Sequence, residues 1–179
     1  VLDQIDVLIN AGAAGTAWSG GDIWKDDEVV ERLTKWVYGG GAFIGVNEPS
    51  AAEGCDTYFR MAHVLGVDKD TGARVCHGKW SFAPEIIPGL IPEGAVIESR
   101  EGRYLTDGSA RVLLEKEGQP LLTVHSFGQG KGIYLSSYQI SPANTRMLQN
   151  LILFGAGEKT DQEFITSNLN TECAYFPEG

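Results

Sequence analysis

Apolar residues along the chain fall into two kinds of pattern. Short unbroken runs, Asp6-Val7-Leu8-Ile9-Asn10 and Ala42-Phe43-Ile44-Gly45-Val46, are bounded by small or polar residues. This is the signature of strands buried on both faces of a parallel sheet; the first is read over Ile5 to Ile9. Between them, Asp22 to Tyr38 changes to helical spacing. Val29, Val30, Leu33, Trp36 and Val37 form one apolar stripe, and Lys25, Glu28, Arg32 and Lys35 face water. Asp26 and Asp27 suit the positive end of the helix dipole, and Gly39 suits its close.

The pattern predicts a second helix over Cys55 to Leu65, stopped by Gly66. Val67 to Gly94 is irregular and broken by Pro and Gly. A β-rich section follows, with strands at Ala95–Ile97, Arg111–Lys116, Leu121–Ser126 and Gly132–Ser136. The linkers Glu117-Gly118-Gln119-Pro120 and Phe127-Gly128-Gln129-Gly130-Lys131 have hairpin composition, which points to antiparallel strands on a sheet edge. Ser141-Pro142 supplies an N-cap and an N1 proline for a last helix. Met147, Leu148, Leu151, Ile152 and Phe154 form its expected buried face, and Gly155 its expected end.

A strand, a helix and a second apolar strand in this order predict a doubly wound, Rossmann/flavodoxin-like three-layer α/β/α domain with antiparallel edge strands. The turn after the second strand is then the place to look for chemistry. In hydrolases and amidotransferases of this architecture it holds the nucleophile in a G-x-nucleophile-x-G frame. Here Gly45-Val46-Asn47-Glu48-Pro49 fills the frame, and an amide has no ionisable proton to lose. A histidine base is expected after the last core strand, and Leu135-Ser136-Ser137-Tyr138-Gln139-Ile140 has none. No catalytic residue is assigned.

The remaining candidates each carry a bland reading beside a functional one. Glu48 and Ser50 cap a helix that starts with Pro49 at N1, or they belong to a polar cluster that binds a sugar or a neighbouring domain. The loop Ala11 to Gly21 is a glycine-rich crossover or a ligand-facing rim; it lacks G-x-G-x-x-G spacing. Trp36 is core by periodicity, whereas Trp18 and Trp24 suit packing against another domain or subunit. His63, His77 and His125 are read as structural. Cys76 and His77 are adjacent in an irregular stretch, and neighbours in an extended chain point to opposite faces. The substrate or domain-interface candidates are therefore Asn47, Glu48, Ser50 and Trp18.

A net charge of -10 and no basic cluster argue against nucleic-acid and anionic-membrane partners. Cys55, Cys76 and Cys173 give neither a disulfide framework nor zinc spacing, so no metal is expected and a reducing cytoplasm is the simplest location. No apolar run approaches membrane-spanning length. The abrupt strand at the start and the aromatic run at the end suggest a piece of a longer protein.

Three segments, Asp6 to Trp24 (DVLINAGAAGTAWSGGDIW), Gly39 to Ala51 (GGGAFIGVNEPSA) and Thr171 to Pro177 (TECAYFP), resemble the bacterial galacto-N-biose/lacto-N-biose phosphorylases. The likeness falls on that family's middle, class I glutamine-amidotransferase-like domain; Ser126 to Ser137 is similar to amidotransferase-like domains more generally. The resemblance implies residues 1–155 as that domain, truncated before its first strand and helix. Residues 156–179 are then a linker toward a C-terminal β-sandwich. It also implies an amino-terminal barrel that holds the catalytic acid and the phosphate and galactose contacts, none of which lie in this sequence.

The parent enzyme implied by the resemblance phosphorolyses β-1,3-galactosyl-N-acetylhexosamine to α-galactose 1-phosphate and the free sugar, with inversion. Inorganic phosphate is the co-substrate and no cofactor is expected. The implied partners are the chain's own barrel and β-sandwich, with a homodimer as a further candidate. A galactosyl-rhamnose phosphorylase of the same family is the alternative. Two readings from other classes stand beside it: an amidotransferase-like hydrolase using Cys55 or Cys76, and a carbohydrate-binding module with Trp18 and Glu48 in its rim.

Overall fold

A computed structural model of the chain describes residues 2–72, 82–157, 168 and 171. Its centre is a mixed five-stranded sheet in the order β1-β2-β7-β6-β5. Strand β1 (Val7–Gly12) pairs parallel with β2 (Ala42–Asn47), and β2 pairs parallel with β7 (Gly130–Leu135). Strands β6 (Gln119–Phe127) and β5 (Arg111–Lys116) add antiparallel on the far side of β7. A separate antiparallel ribbon joins β3 (Val67–Asp70) to β4 (Arg103–Thr106).

Helix α1 (Asp27–Tyr38) follows a 3₁₀ turn, Gly21–Lys25, and its N-cap Asp26 accepts the Glu28 N–H at 2.9 Å. Leu33 and Val37 press on one face of the sheet with Phe43, Phe59, Met61, Val64, Leu65, Tyr104 and Tyr134. The opposite face carries Ile44, Val46, Ile133, Leu135, Leu122 and Val124 against Met147 and Leu151 of helix α3 (Pro142–Ala156). Ser141 caps α3 by accepting the Asn144 N–H at 3.1 Å, with Pro142 at its first turn. Strand β2 lies between these two apolar layers, which is why its residues Ala42 to Val46 are all buried and uniformly non-polar or small.

The three-layer flavodoxin-like, amidotransferase-type sandwich expected from the sequence does not form. Such a fold needs a helix at each crossover of a mostly parallel sheet. Here only β1, β2 and β7 are parallel, and the route from β2 to β7 runs through turns, the β3–β4 ribbon and two hairpin strands. Among the described residues its single helix, α2 (Ala62–Leu65), is one turn long.

The helix predicted from Cys55 is lost to competing local bonds. Ala52 N–H donates to Tyr58 O, Arg60 N–H donates to Ser50 O, and the Asp68 carboxylate accepts the Phe59 N–H at 2.8 Å. Gly54, at a φ of 80°, turns the loop.

Three further expectations change. Ala95–Ile97 is no strand; the side chain of Asn144 stands in for one, accepting Val96 N–H at 2.8 Å and donating to Val96 O at 2.9 Å. Helix α3 runs past Gly155 to a left-handed cap at Gly157. Gly155 is an interior contact, because a Cβ there would lie 2.9 Å from that of Ala42. On the same helix Leu148 and Ile152 are only half-buried, and Ala143, Asn144 and Asn150 take part in the buried face. Trp24 is core: it is 4% exposed, meets Phe43 edge-on and donates its indole N–H to Ser19 O.

Candidate functional site

The carboxyl ends of β1 and β2 open onto one rim, where the loop 13–20 faces the turn 48–55. The turn after β2 has the backbone of an elbow. Asn47 sits at φ 74° and Ser50 at φ 51°, a region that few residues other than Gly and Asn enter cheaply. Gly45 makes the fold-back feasible, since a Cβ there would lie 2.6 Å from the Pro49 ring. The left-handed backbone of this turn is thus held by an amide residue, and the Asn47 side-chain oxygen is buried with no hydrogen-bond partner.

Glu48 and Ser50 do not cap a helix, because none starts at Pro49. The Glu48 carboxylate instead ties three segments together. It accepts the Ala14 N–H at 3.0 Å from the loop after β1, the Lys69 ammonium at 2.5 Å from β3 and the Tyr58 hydroxyl at 3.3 Å. Lys69 also lies 4.9 Å over the Tyr58 ring. Burial pushes the Glu48 carboxyl up, but Lys69, the Ala14 N–H and Tyr58 outweigh it and hold the pKa below its ordinary value of 4.5. Burial likewise pushes Lys69 down, and the bond to Glu48 with the nearby Tyr104, Glu48 and Tyr58 charges carries it above the ordinary 10.5. Tyr58 is raised by burial first and by the Glu48 charge second.

Ser50 is fully buried. Its N–H donates to the Asn10 side-chain oxygen at 2.7 Å, and its hydroxyl oxygen accepts the Met61 N–H at 3.0 Å. Asn10 in turn donates to Ser19 O at 2.9 Å, so one amide at the end of β1 holds both loops of the rim. Trp18, in contrast, is 86% exposed. The structure therefore joins Glu48 and Ser50 to the rim as internal ties and leaves Trp18 projecting from it.

Between the loops lies an open crevice of about 230 Å³ whose lining includes Ala14, Gly15, Lys25, Ala51 and Glu53. Lys25 is paired with Asp22 at 2.8 Å. Cys55 is half-buried against the core, and no histidine is hydrogen-bonded to it among the described residues. The two described histidines are engaged elsewhere. His125 donates its Nδ1–H to Val64 O at 2.9 Å, because a carbonyl can only accept, and its Nε2 meets the Ser109 hydroxyl at 3.0 Å. That hydroxyl also donates to Asp107. His63 meets the Thr34 hydroxyl at 2.8 Å; burial, then the Arg60 and His125 charges, press its pKa below 6.5. The rim can hold a polar group or another surface, but its described side chains offer no nucleophile–base pair.

Cys76, His77, Trp80 and Cys173 lie outside the described residues. No cluster of three or more His, Cys, Asp or Glu suited to a metal ion occurs among the described residues, and none of their helices is long and apolar enough to cross a membrane. Sequence reasoning missed Lys69 and Tyr58 as partners of Glu48, and Asn10 as the clamp. The signal for Asn10 was present: a lone amide at the end of an apolar strand. Lys69 gives none, since the stretch from Val67 to Gly94 shows no regular period in the sequence.

A family described as the lacto-N-biose phosphorylase central domain matches residues 1–160. The chain is 54% identical over 175 residues to a D-galactosyl-β-1→4-L-rhamnose phosphorylase of Lachnoclostridium phytofermentans, covering 98% of this chain and 24% of that protein. It is 36% identical over 185 residues to a 1,3-β-galactosyl-N-acetylhexosamine phosphorylase of the same organism, covering 99% and 25%. With the enzyme of that name from Bifidobacterium longum subsp. longum the identity is 32% over 213 residues, covering 98% and 28%. The chain thus spans about a quarter of the length of these relatives.

Among solved structures, a cytoplasmic protein from Salmonella typhimurium superposes with a TM-score of 0.55 at 16% identity, covering 86% of this chain and 72% of that one. A cold-adapted β-galactosidase from Rahnella sp. R3 gives 0.55 at 14% identity, covering 82% and 22%. At such identities the likeness concerns fold alone.

Proposed function

Given that this chain belongs to the family of lacto-N-biose phosphorylase central domains, we propose that it is the non-catalytic central domain of a longer, inverting glycoside phosphorylase. The parent cleaves a β-galactosyl disaccharide with inorganic phosphate as co-substrate and releases α-galactose 1-phosphate. An acid outside this chain protonates the leaving oxygen, and phosphate attacks the opposite face of the galactosyl ring without needing a base. The acceptor released is L-rhamnose in the reading favoured by the 54% identity; N-acetylhexosamine is the second reading, favoured by the matches at 36% and 32%.

One observation supports the non-catalytic role above others. The elbow position is occupied by Asn47, whose amide is neither an acid nor a nucleophile, while Glu48 is consumed in internal bonds. What remains at the rim is the exposed Trp18 beside a crevice, a surface suited to a neighbouring barrel domain of the same chain. The location is the cytoplasm, in keeping with three cysteines whose odd number and wide spacing suggest no disulfide framework.

The test is phosphate-dependent release of galactose 1-phosphate by the full-length parent, offered galactosyl-β-1,4-rhamnose and lacto-N-biose in parallel. Turnover of the rhamnoside by preference is the expected result; turnover of neither overturns the phosphorylase reading. In the same assay Asn47→Ala leaves kcat within about threefold. A loss of a hundredfold, about 2.7 kcal/mol in the barrier, would place chemistry in this domain after all.

A further inference from the structure

His125, near the end of β6, stands where three segments meet. Gly66, at φ 68° after α2, packs directly on it: a Cβ on Gly66 would lie 2.9 Å from that of His125 and 2.8 Å from that of Ala110. The turn 107–110 joins β4 to β5 and closes the third side, where Asp107 N–H donates to Gly66 O at 2.8 Å. His125 is 7% exposed, so its ring depends on protein partners rather than on water.

The bonds around the ring fix where its hydrogens lie. Val64 O can only accept, so Nδ1 carries a hydrogen and donates it at 2.9 Å. The Asp107 carboxyl is held below its ordinary 3.8 by the Ser109 hydroxyl first and the Ser109 N–H second, against the effect of burial, and the His125 charge adds to the lowering. Near neutral pH Asp107 is therefore an acceptor alone. It takes the Ser109 N–H at 2.8 Å and the Ser109 O–H at 2.5 Å. A hydroxyl has one hydrogen, and that of Ser109 is directed to Asp107. The same oxygen lies 3.0 Å from His125 Nε2, and only Nε2 is left to place a hydrogen between the two atoms.

We propose that His125 is a proton-operated latch. With a hydrogen on each ring nitrogen it holds the turn 107–110 to α2 and β6 through Ser109, and loss of the Nε2 proton to solvent releases that turn.

The release follows from the count of hydrogens. A neutral ring leaves a lone pair on Nε2 facing the Ser109 oxygen, and the one hydroxyl hydrogen cannot serve both neighbours. Turning it to Nε2 forfeits a charge-assisted bond to Asp107; keeping it on Asp107 sets two lone pairs against each other. Among the described residues, Asp107 attracts the charged ring, and His63 of α2 repels it. Gly132 stands opposite on β7 with no side chain, and Lys131 beside it lies over the Phe154 ring. Arg111, the first residue of β5, is held by Glu85 at 2.7 Å. The turn continues β4, and β4 pairs with β3, which carries Lys69, the partner of Glu48. The latch thus acts on the ribbon that braces the rim.

The test is neutron diffraction from deuterium-exchanged crystals of the full-length parent, at about pD 5 and about pD 9, on either side of the histidine range. The expected acid structure has deuterium on both nitrogens of His125 and the Ser109 O–D directed to Asp107. In the alkaline structure Nε2 is bare and Ser109 keeps only one of its two side-chain bonds. A single deuteron on the ring in acid, or both Ser109 bonds intact in alkali, overturns the proposal. Amide exchange over residues 107–110, corrected for the pH dependence of an unstructured peptide, supplies a second reading. It is expected to rise about tenfold from acid to alkali. In Ser109→Ala, a change at an exposed site, the turn exchanges at the faster rate at both values. A turn in the unmodified protein that exchanges equally at both, or a variant that keeps the pH dependence, also overturns the latch.

Discussion

The Glu48 carboxylate and the Lys69 ammonium meet at 2.5 Å from opposite sides of the irregular stretch between β2 and β3, with side chains 13% and 25% exposed. The pair joins the elbow to the β3–β4 ribbon, and through the Ala14 N–H it also reaches the loop after β1. Because both charges are largely removed from water, removing one partner strands the other. Lys69→Met is expected to destabilise the domain by about 2 kcal/mol, less than a fully buried pair because solvent still screens this one. The double variant Glu48→Gln/Lys69→Met recovers part of that loss. Urea melts of the unmodified protein, Glu48→Gln, Lys69→Met and the double variant, arranged as a double-mutant cycle, check the coupling.

Acid weakens the fold in two steps. His63 titrates below its unfolded value, so the folded state binds fewer protons than the unfolded chain as pH falls through 6.5 and below. Glu48 titrates below its ordinary 4.5, so the stability it supplies is present above that pH and is lost as pH falls through its folded value. A melting temperature followed from pH 8 to pH 3 declines in both ranges. Lys69→Met flattens the lower step and His63→Phe flattens the upper one.

Asn47 holds a left-handed backbone that a Cβ-bearing residue without a local hydrogen-bonding side chain enters at a cost of about 1–2 kcal/mol. Asn47→Ala lowers stability by about that amount, and Asn47→Gly costs less. Asn47→Cys restores a thiol to the elbow but gains no glutaminase or esterase activity, because no histidine of the described rim is placed to deprotonate it. A burst of acyl-enzyme from the Cys variant would contradict the geometry.

Asn144 does the work of a strand for the segment around Val96 and also donates to Gln139 O at 2.8 Å. Asn144→Ala removes three bonds from a residue only 2% exposed and is expected to cost about 2–3 kcal/mol. Hydrogen exchange at Val96 in the variant reads this directly. The amide exchanges rapidly while those of β7 stay protected.

The elements legible in the sequence were those whose pattern reports burial on a regular period. Ala42 to Val46 reads as a buried strand because every side chain there is apolar or small, and the stripe from Val29 to Val37 reads as a helix facing a core. The section from Cys55 to Leu65 misled because its apolar spacing is satisfied by an irregular turn pinned by Ser50 and Asp68, partners that periodicity does not register. The turn after β2 is legible from Gly45 and Pro49, while the role of Glu48 is not. A carboxylate beside a proline suggests a cap until a lysine from a distant strand is seen to claim it.

The pairing of Ala42 with Lys131 joins positions separated by roughly ninety residues, and it forms the seam at the centre of the sheet. On a ribosome, β2 is made long before its second neighbour exists, with an apolar run open on that side. Closing so long a loop is entropically slow, and an unpaired apolar strand is a template for association with other chains. Synthesis of this protein therefore has an interval in which the centre of its future core is the segment most in need of a chaperone, and the interval ends only when the hairpin of β6 and β7 arrives.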